Sequence, residues 1–400
     1  MDNAQEIVRR LKSVVGEAAA SPVPLHEPEF CGSEKAYVLD CIESGWVSSV
    51  GKYVDRFEAM LAEYTGARRA VAVVNGTAAL HVSLKLCGVQ PGDEVLCPAL
   101  SFVATANAIS YCQAIPHFVD SERYTLGLDP RKLDDYLREV VTIRNGTAWN
   151  RLSRRRIKAV VPMHTFGHPV DLDPLVEVCE RFHLALVEDA AESLGSFYKG
   201  RHTGTFGRMN ALSFNGNKII TTGGGGAILT NDEDLANRAK HITTTAKKPH
   251  AWEYVHDDIG FNYRLPNINA ALGCAQLERL AEMRSRKREL ARRFQEAFAG
   301  VSSAKVFQEP QFGESNYWLN ALLVPGGKAV RDGILAASHE SGLLTRPVWD
   351  LLSDLPMFRG CPQGDLTVAK ALQREVINLP SSPRLVAETK TAETAERQAA

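Results

Sequence analysis

The sequence predicts an α/β fold: a large domain around a seven-stranded, mostly parallel sheet, with a smaller α/β domain toward the C-terminus. Three observations predict it. Seven short apolar runs alternate with helical stretches between residues 71 and 230, the pattern of a parallel sheet covered on both faces. After Asp257 the pattern changes to a compact polar–aromatic loop and a long amphipathic stretch. Four hundred residues, 44% of them hydrophobic, suffice for a large core with a second unit attached.

The elements follow in order. Ile7, Val8, Leu11, Val14 and Val15 recur at helical spacing, so residues 1–20 read as an amphipathic helix ended by Ser21-Pro22-Val23-Pro24. Gly32-Ser33 opens a second helix with Tyr37, Val38, Cys41 and Ile42 on one face. Val54, Phe57, Leu61 and Tyr64 stripe a third. The seven runs are 71–74, 94–98, 115–119, 158–163, 183–188, 210–214 and 227–230. Between the third and fourth, a helix is expected at 130–140, then a polar, basic loop at 144–156. A long helix is expected at 270–298, its basic run 284–293 facing solvent. Segments 318–324, 328–341 and 376–379 read as strand, helix and strand of the smaller domain. The expected boundaries are 1–29 for a helical extension, 30–265 for the large domain, 266–385 for the small one and 386–400 for a frayed tail.

Composition excludes several classes. Net charge is −1, which gives no global field for nucleic acid. No apolar run reaches the roughly 18 residues of a membrane span, and residues 1–20 lack the apolar core of a secretion signal. Eight cysteines without a Cys-x-x-Cys pair are read as reduced thiols of a cytoplasmic protein, with no metal site.

In such sheets ligands collect at the carboxyl ends of the strands. After the first run, Asn75-Gly76-Thr77-Ala78 leads straight into a helix, whose first N–H groups suit a phosphate. A tight turn with Thr77 as helix cap is the competing reading. Phe102, after the second run, is placed to stack on a planar ring, or to join the core. The fifth run ends in Glu188-Asp189. A buried carboxylate costs several kcal/mol unless paired, and a pyridinium nitrogen would be a suitable partner; a helix cap at Asp189 is the alternative. The sixth run passes through Ser213 to Lys218, with Gly223 to Gly226 just beyond. Glycines allow close backbone approach, and a lysine desolvated beside a ligand is a candidate Schiff-base nucleophile. Phosphate, ring face, ring nitrogen and aldehyde carbon each have a partner, in chain order. That set is what pyridoxal 5′-phosphate requires.

These pieces resemble the DegT/DnrJ/EryC1/StrS family, sugar aminotransferases of the type I fold. The matching motifs are Asn75-Gly76-Thr77-Ala78-Ala79, Ser101-Phe102-Val103-Ala104-Thr105, Glu188-Asp189-Ala190-Ala191-Glu192, Ser213-Phe214-Asn215-Gly216-Asn217-Lys218 and Gly260-Phe261-Asn262-Tyr263-Arg264. The resemblance implies that Lys218 binds the cofactor covalently and Asp189 pairs with its ring nitrogen. Phe102 stacks on the ring, and Thr77, Ala78 and Ser213 hold the phosphate, with Gly76 and Asn215 in the same binding set. Glu192 stands where the family often has Gln or His, near the ring hydroxyl. Asn262 reaches the cofactor of the neighbouring subunit of a homodimer. Thr221 to Gly226, Thr243-Thr244-Thr245-Ala246 and Thr345-Arg346-Pro347-Val348-Trp349 resemble the subgroup that makes 4-amino-4,6-dideoxy sugars for legionaminic acid or bacillosamine.

The implied reaction moves an amino group from an amino acid, by family analogy L-glutamate, to a nucleotide-linked 4-keto-6-deoxy sugar for cell-surface glycans. Substrate contacts are expected from His164 and from Arg346, whose planar fork suits a diphosphate or a structural ion pair. A sugar dehydratase of the same fold would carry His at the lysine position, and Lys218 argues against it. A non-catalytic relative need not retain Lys218, Asp189, Ser213 and Phe102 together.

Overall fold

The computed structural model describes residues 3–16 and 22–386; Ser21 of the helix break and all of the expected tail 386–400 except Val386, which is buried, lie outside the described residues. Three helices lead in: α1 (Asn3–Val15), α2 (Glu34–Ser44) and α3 (Lys52–Thr65). Ile7, Val8, Leu11, Val54, Phe57 and Leu61 are buried as their spacing predicts, whereas Ile42 is exposed.

The sheet then builds through β1 (Arg69–Val73), α4 (Gly76–Leu86), β2 (Glu94–Pro98), α5 (Val103–Tyr111), β3 (Ile115–Val119) and α6 (Pro130–Val140). It continues through β4 (Val141–Arg144), β5 (Thr147–Asn150), β6 (Arg156–Val160), α7 (Leu172–Arg181) and β7 (Ala185–Asp189). Two short strands, β8 (Phe197–Tyr198) and β9 (Arg201–His202), precede β10 (Met209–Ser213) and β11 (Gly226–Thr230). All seven expected runs are strands, in the order β1-β11-β10-β7-β6-β2-β3. β11 is antiparallel to both neighbours, and the remaining pairs on this path are parallel. The reversal follows from the connection: the chain returns from β10 through a glycine loop, without the crossover that parallel strands need. Strand alternation splits the core between two faces, Val71 and Val73 on one, Ala70 and Ala72 on the other.

The basic loop expected at 144–156 is instead partly a hairpin. β4 and β5 pair antiparallel and extend the sheet to nine strands through β6. Asn145 and Gly146 turn at φ 50° and 70°, the left-handed pair that a tight hairpin turn demands.

After α8 (Glu233–Thr243) and the short pair β12 (Lys247–Lys248) and β13 (Val255–His256), the long helix is two helices, α9 (Asn267–Glu278) and α10 (Leu280–Ala297). They part at Arg279, at φ −103° and ψ 0°. α9 packs on α2 and α3 while α10 packs on α1, and one straight helix cannot serve both. The basic run is not all solvent-facing: Arg286 and Lys287 are buried. Arg286 pairs with Glu29, and Lys287 donates to the carbonyls of Trp318 and Ser381.

The remaining chain adds β14 (Lys305–Val306), β15 (Gly313–Glu314), β16 (Asn320–Leu323), α11 (Lys328–Glu340), β17 (Arg346–Pro347), α12 (Thr367–Glu375) and β18 (Val376–Leu379). β15 pairs with β8, and the others form a second, antiparallel sheet in the order β14-β16-β18-β17.

Candidate active site

A cavity of about 730 Å³ opens between the carboxyl end of the large sheet and the small sheet. Its floor is the turn from β1 into α4. The cap is Asn75, not Thr77: Asn75 Oδ1 accepts the Ala78 N–H at 2.8 Å. That bond occupies Ala78, so the amides left for an anion are those of Gly76 and Thr77, which have no intrahelical acceptor. Gly76 is required there, because a Cβ would sit 2.9 Å from the Cβ of Ser213. The later glycines serve the same floor. A Cβ on Gly226 would meet the Asn75 backbone at 2.5 Å, so the run packs against the turn.

Asp189, at the end of β7, is buried and lines the cavity. It is no helix cap; Oδ2 accepts from Thr105 Oγ1 at 2.7 Å and Oδ1 from the Ala191 N–H at 3.2 Å. Burial raises its pKa, and the Thr105 and Ala191 bonds and the charge of Lys218 only partly offset this. Glu188 points to the other face, as strand alternation dictates. There His164 Nε2 lies at 2.9 Å, and the amides of Gly204, Phe206 and Gly207 donate to the same carboxylate. Burial works against its charge, but these bonds outweigh it and hold the carboxyl below its ordinary range.

This corrects the assignment of His164 to substrate. His164 is fully buried and does not line the cavity. Its Nδ1 accepts the Val170 N–H at 3.2 Å, which leaves Nε2 as the proton-bearing donor to Glu188. Both ring nitrogens are spent on the scaffold.

Lys218 follows β10 in a turn, its N–H bonded to the Asn215 carbonyl at 3.0 Å. Its Nζ lies 3.3 Å from Glu192 Oε1 and 3.9 Å from the centre of the Trp318 ring. Glu192 is buried, and Oε2 accepts the Phe166 N–H at 2.9 Å. Burial pushes its pKa up to about 7, against the pull of Lys218. Phe166 is at φ 56°, an uncommon conformation for a bulky residue. Gly167 beside it is at φ 95°, where a Cβ would fall 1.9 Å from Asn316 Oδ1. Asn316 in turn donates to the carbonyls of Glu192 and Leu194. The strained loop is therefore held from both sides.

Phe102 is no core residue. It is 47% exposed and lines the cavity, edge-on to Trp349, which also packs on Phe166. Ser213 and Asn215 line the cavity as expected. Asn262 does not; it is exposed and accepts from Arg264 at 3.1 Å. Arg346 lines the cavity, and its guanidinium makes no hydrogen bond or ion pair among the described residues. Sequence reasoning missed Trp318, Arg331 and Asn378, which also line the cavity.

These walls fit pyridoxal phosphate. A glycine-lined helix N-terminus faces Ser213, an exposed ring lies beside it, and a buried carboxylate has no cation within ion-pair distance among the described residues. Residues 30–393 match the DegT/DnrJ/EryC1/StrS aminotransferase family. GDP-perosamine synthase of Caulobacter vibrioides is 36% identical over 88% of this chain and 91% of its own. The enzyme of the same name from Escherichia coli O157:H7 is 37% identical over 91% of this chain and 94% of its own. EpsN of Bacillus subtilis (strain 168), named provisionally as a pyridoxal phosphate-dependent aminotransferase, is 40% identical over 84% of this chain and 83% of its own. The crystal structure of aminotransferase TlmJ from Streptoalloteichus hindustanus superposes with a TM-score of 0.81, at 29% identity, over 94% of this chain and 96% of that one. The chain belongs to the DegT/DnrJ/EryC1/StrS aminotransferase family, and it is a pyridoxal-phosphate-dependent aminotransferase.

Proposed function

We propose that this enzyme moves an amino group from L-glutamate to a nucleotide-linked 4-keto-6-deoxy sugar, giving a 4-amino-4,6-dideoxy sugar for cell-surface glycans. The observation that carries this reading is one cavity lined both by Lys218 and Asp189 and by Arg346, whose guanidinium has no hydrogen-bond or ion-pair partner among the described residues. A planar guanidinium without a protein partner suits a diphosphate. The names of the 36–37% identical relatives, which specify a GDP-linked amino sugar, support the same substrate class.

Residues 30–265 would seat the cofactor and residues 266–385 would close the sugar end. The amides of Gly76 and Thr77, with Ser213, would hold the phosphate, and Phe102 would lie against the ring. When bound, pyridoxal phosphate supplies an aldehyde carbon that carries the amino group and a ring that accepts electron density. Asp189 would keep the ring nitrogen protonated by offering a buried negative charge. Lys218 Nζ would take up the proton from the substrate carbon and return it. Glu192 positions that amine from 3.3 Å, and Trp318 covers it from water. Asn215 completes the wall beside the lysine.

A cytoplasmic homodimer is part of the proposal. Leu39, Ile42, Trp46 and Val50 are exposed on α2 and the loop after it, and Trp252, Tyr254 and Ile259 are exposed near Asn262. Apolar surface of this extent is what a partner covers. No described helix is long and apolar enough to cross a membrane, and all eight cysteines are free thiols. The test is a panel of UDP-, GDP- and dTDP-linked 4-keto-6-deoxy sugars with glutamate, read by product mass. Amination of none of them overturns the proposal.

A further inference from the structure

Asn378 is a wall residue whose amide the protein leaves unmatched. It lies on β18, is 3% exposed and lines the cavity. Its Oδ1 is buried without a partner, and its Nδ2 makes no hydrogen bond among the described residues. Buried side-chain amides are almost always hydrogen-bonded. Turning the amide over exchanges the two ends and leaves the same need. The nearby Asn320 also has an orphaned Oδ1 but spends its Nδ2 on Ser381 Oγ at 3.1 Å.

The other polar groups of this wall are provided for. Arg331 is committed to Asp332 and to the Gln373 carbonyl. Asp350 is exposed, accepts from Gln373, and can be met by water. Arg346 is exposed and has no protein partner among the described residues, and it is directly opposite Asn378 in the β17–β18 pair. Directly opposed residues of an antiparallel pair point to one face, about 5 Å apart at Cβ. Both side chains therefore leave the same face of the small sheet, and both line the cavity.

On the reading proposed above, Arg346 takes the diphosphate on C1 of the sugar while C4 lies at Lys218. C1 has two ring neighbours. One is the ring oxygen, which has no proton to give. The other is C2, which carries a substituent. We propose that Asn378 reads the C2 substituent: its amide meets a group that both gives and takes a hydrogen bond, and the site selects against a sugar without one. A hydroxyl and an acetamido both satisfy this chemistry. The inference rests on the sugar-aminotransferase reading and on Arg346 facing the diphosphate.

The test uses the holoenzyme with glutamate and three keto sugars on one nucleotide, differing only at C2: hydroxyl, acetamido or hydrogen. Wild type should prefer a donor-bearing sugar over the C2-hydrogen sugar by about 10- to 100-fold in kcat/KM, mainly through KM, as for one lost hydrogen bond to a buried group. The hydroxyl and acetamido arms tell which group the enzyme takes. Asn378→Leu removes both polar ends at similar size, and Asn378→Ala does so without bulk. Absorbance of the bound cofactor reports which variants are folded. In a folded variant the preference should shrink to within about twofold, the loss of a 10- to 100-fold ratio. A purely structural role would slow all three sugars alike and keep the ratio, which overturns the inference. A wild type indifferent to C2 also overturns it. Amination of no sugar by wild type overturns the proposed function itself, a failure distinct from the other two.

Discussion

Glu192 makes the stability of the cofactor-free protein depend on pH in a way that one substitution should erase. Its carboxyl is buried, and burial lifts its pKa from an ordinary 4.5 to about 7. The folded protein therefore holds this proton more tightly than the unfolded chain does. The stabilisation is complete below about pH 4.5 and is lost as pH rises through about 7. At about 1.4 kcal/mol for each pH unit between the two values, the loss approaches about 3 kcal/mol by pH 8. Glu192→Gln keeps the size and an acceptor for the Phe166 N–H but cannot titrate. Urea unfolding of both cofactor-free proteins, at one protein concentration from pH 5 to 8, measures the difference. Groups remote from Glu192 contribute alike to both proteins and cancel. The variant should gain about 2–3 kcal/mol on wild type across that range. A difference that stays constant with pH would show that Glu192 keeps its charge throughout, and the reasoning would fail.

The other predictions concern the reaction. Lys218→Ala should abolish turnover and borohydride fixation of the cofactor while leaving the urea midpoint near wild type; normal turnover would sink the assignment. Asp189→Asn should still bind cofactor but lose orders of magnitude in turnover, because the ring is no longer held protonated; a wild-type rate would reduce Asp189 to its local bond with Ala191. Arg346→Ala should raise KM for the keto sugar by about 10-fold or more, from loss of a charge-assisted contact; an unchanged KM would refute the diphosphate contact. Mixed dimers of Lys218→Ala and Asn262→Ala should recover roughly a quarter of wild-type activity if Asn262 serves its neighbour's site; no recovery would place Asn262 in its own chain's site.

The sheet was legible because each strand is a short apolar run ended by a turn, a signal local to about ten residues. The floor of the site was legible for the same reason: Asn75 to Thr77, Asp189 and Ser213 to Lys218 all follow strands. The hairpin at 141–150 did leave a signal that the basic residues of 144–156 masked: Val141-Thr142-Ile143-Arg144 alternates apolar and polar, and Asn145-Gly146 is the pair a two-residue hairpin turn takes. His164 misled because a histidine after a strand reads alike whether it faces a cavity or, as here, a buried carboxylate. The break at Arg279 and the burial of Lys287 have no local mark; they are set by what α9 and α10 pack against. Trp318, Arg331 and Asn378 escaped for the same reason. Each meets the site across about a hundred residues or more of chain, and only the folded structure shows which side chains arrive there.

The loop pinned by Asn316, and the ring of Trp318 over Lys218, have a consequence for how the protein is made. The large sheet is complete in sequence once Thr230 has been synthesised, yet Trp318 is still 88 residues away, from 318 less 230. At ~5–20 residues per second that gap lasts roughly 5–20 s on the ribosome. A chain that ends at Thr230 contains the residues of the phosphate floor and Asp189, but not Trp318, which covers the lysine amine, nor Asn316, which supports the turn at Phe166. The sugar end waits longer still, for Arg346 and then Asn378. Truncation after the large sheet thus leaves a cofactor seat open to water, and competence arrives only with the last strand translated.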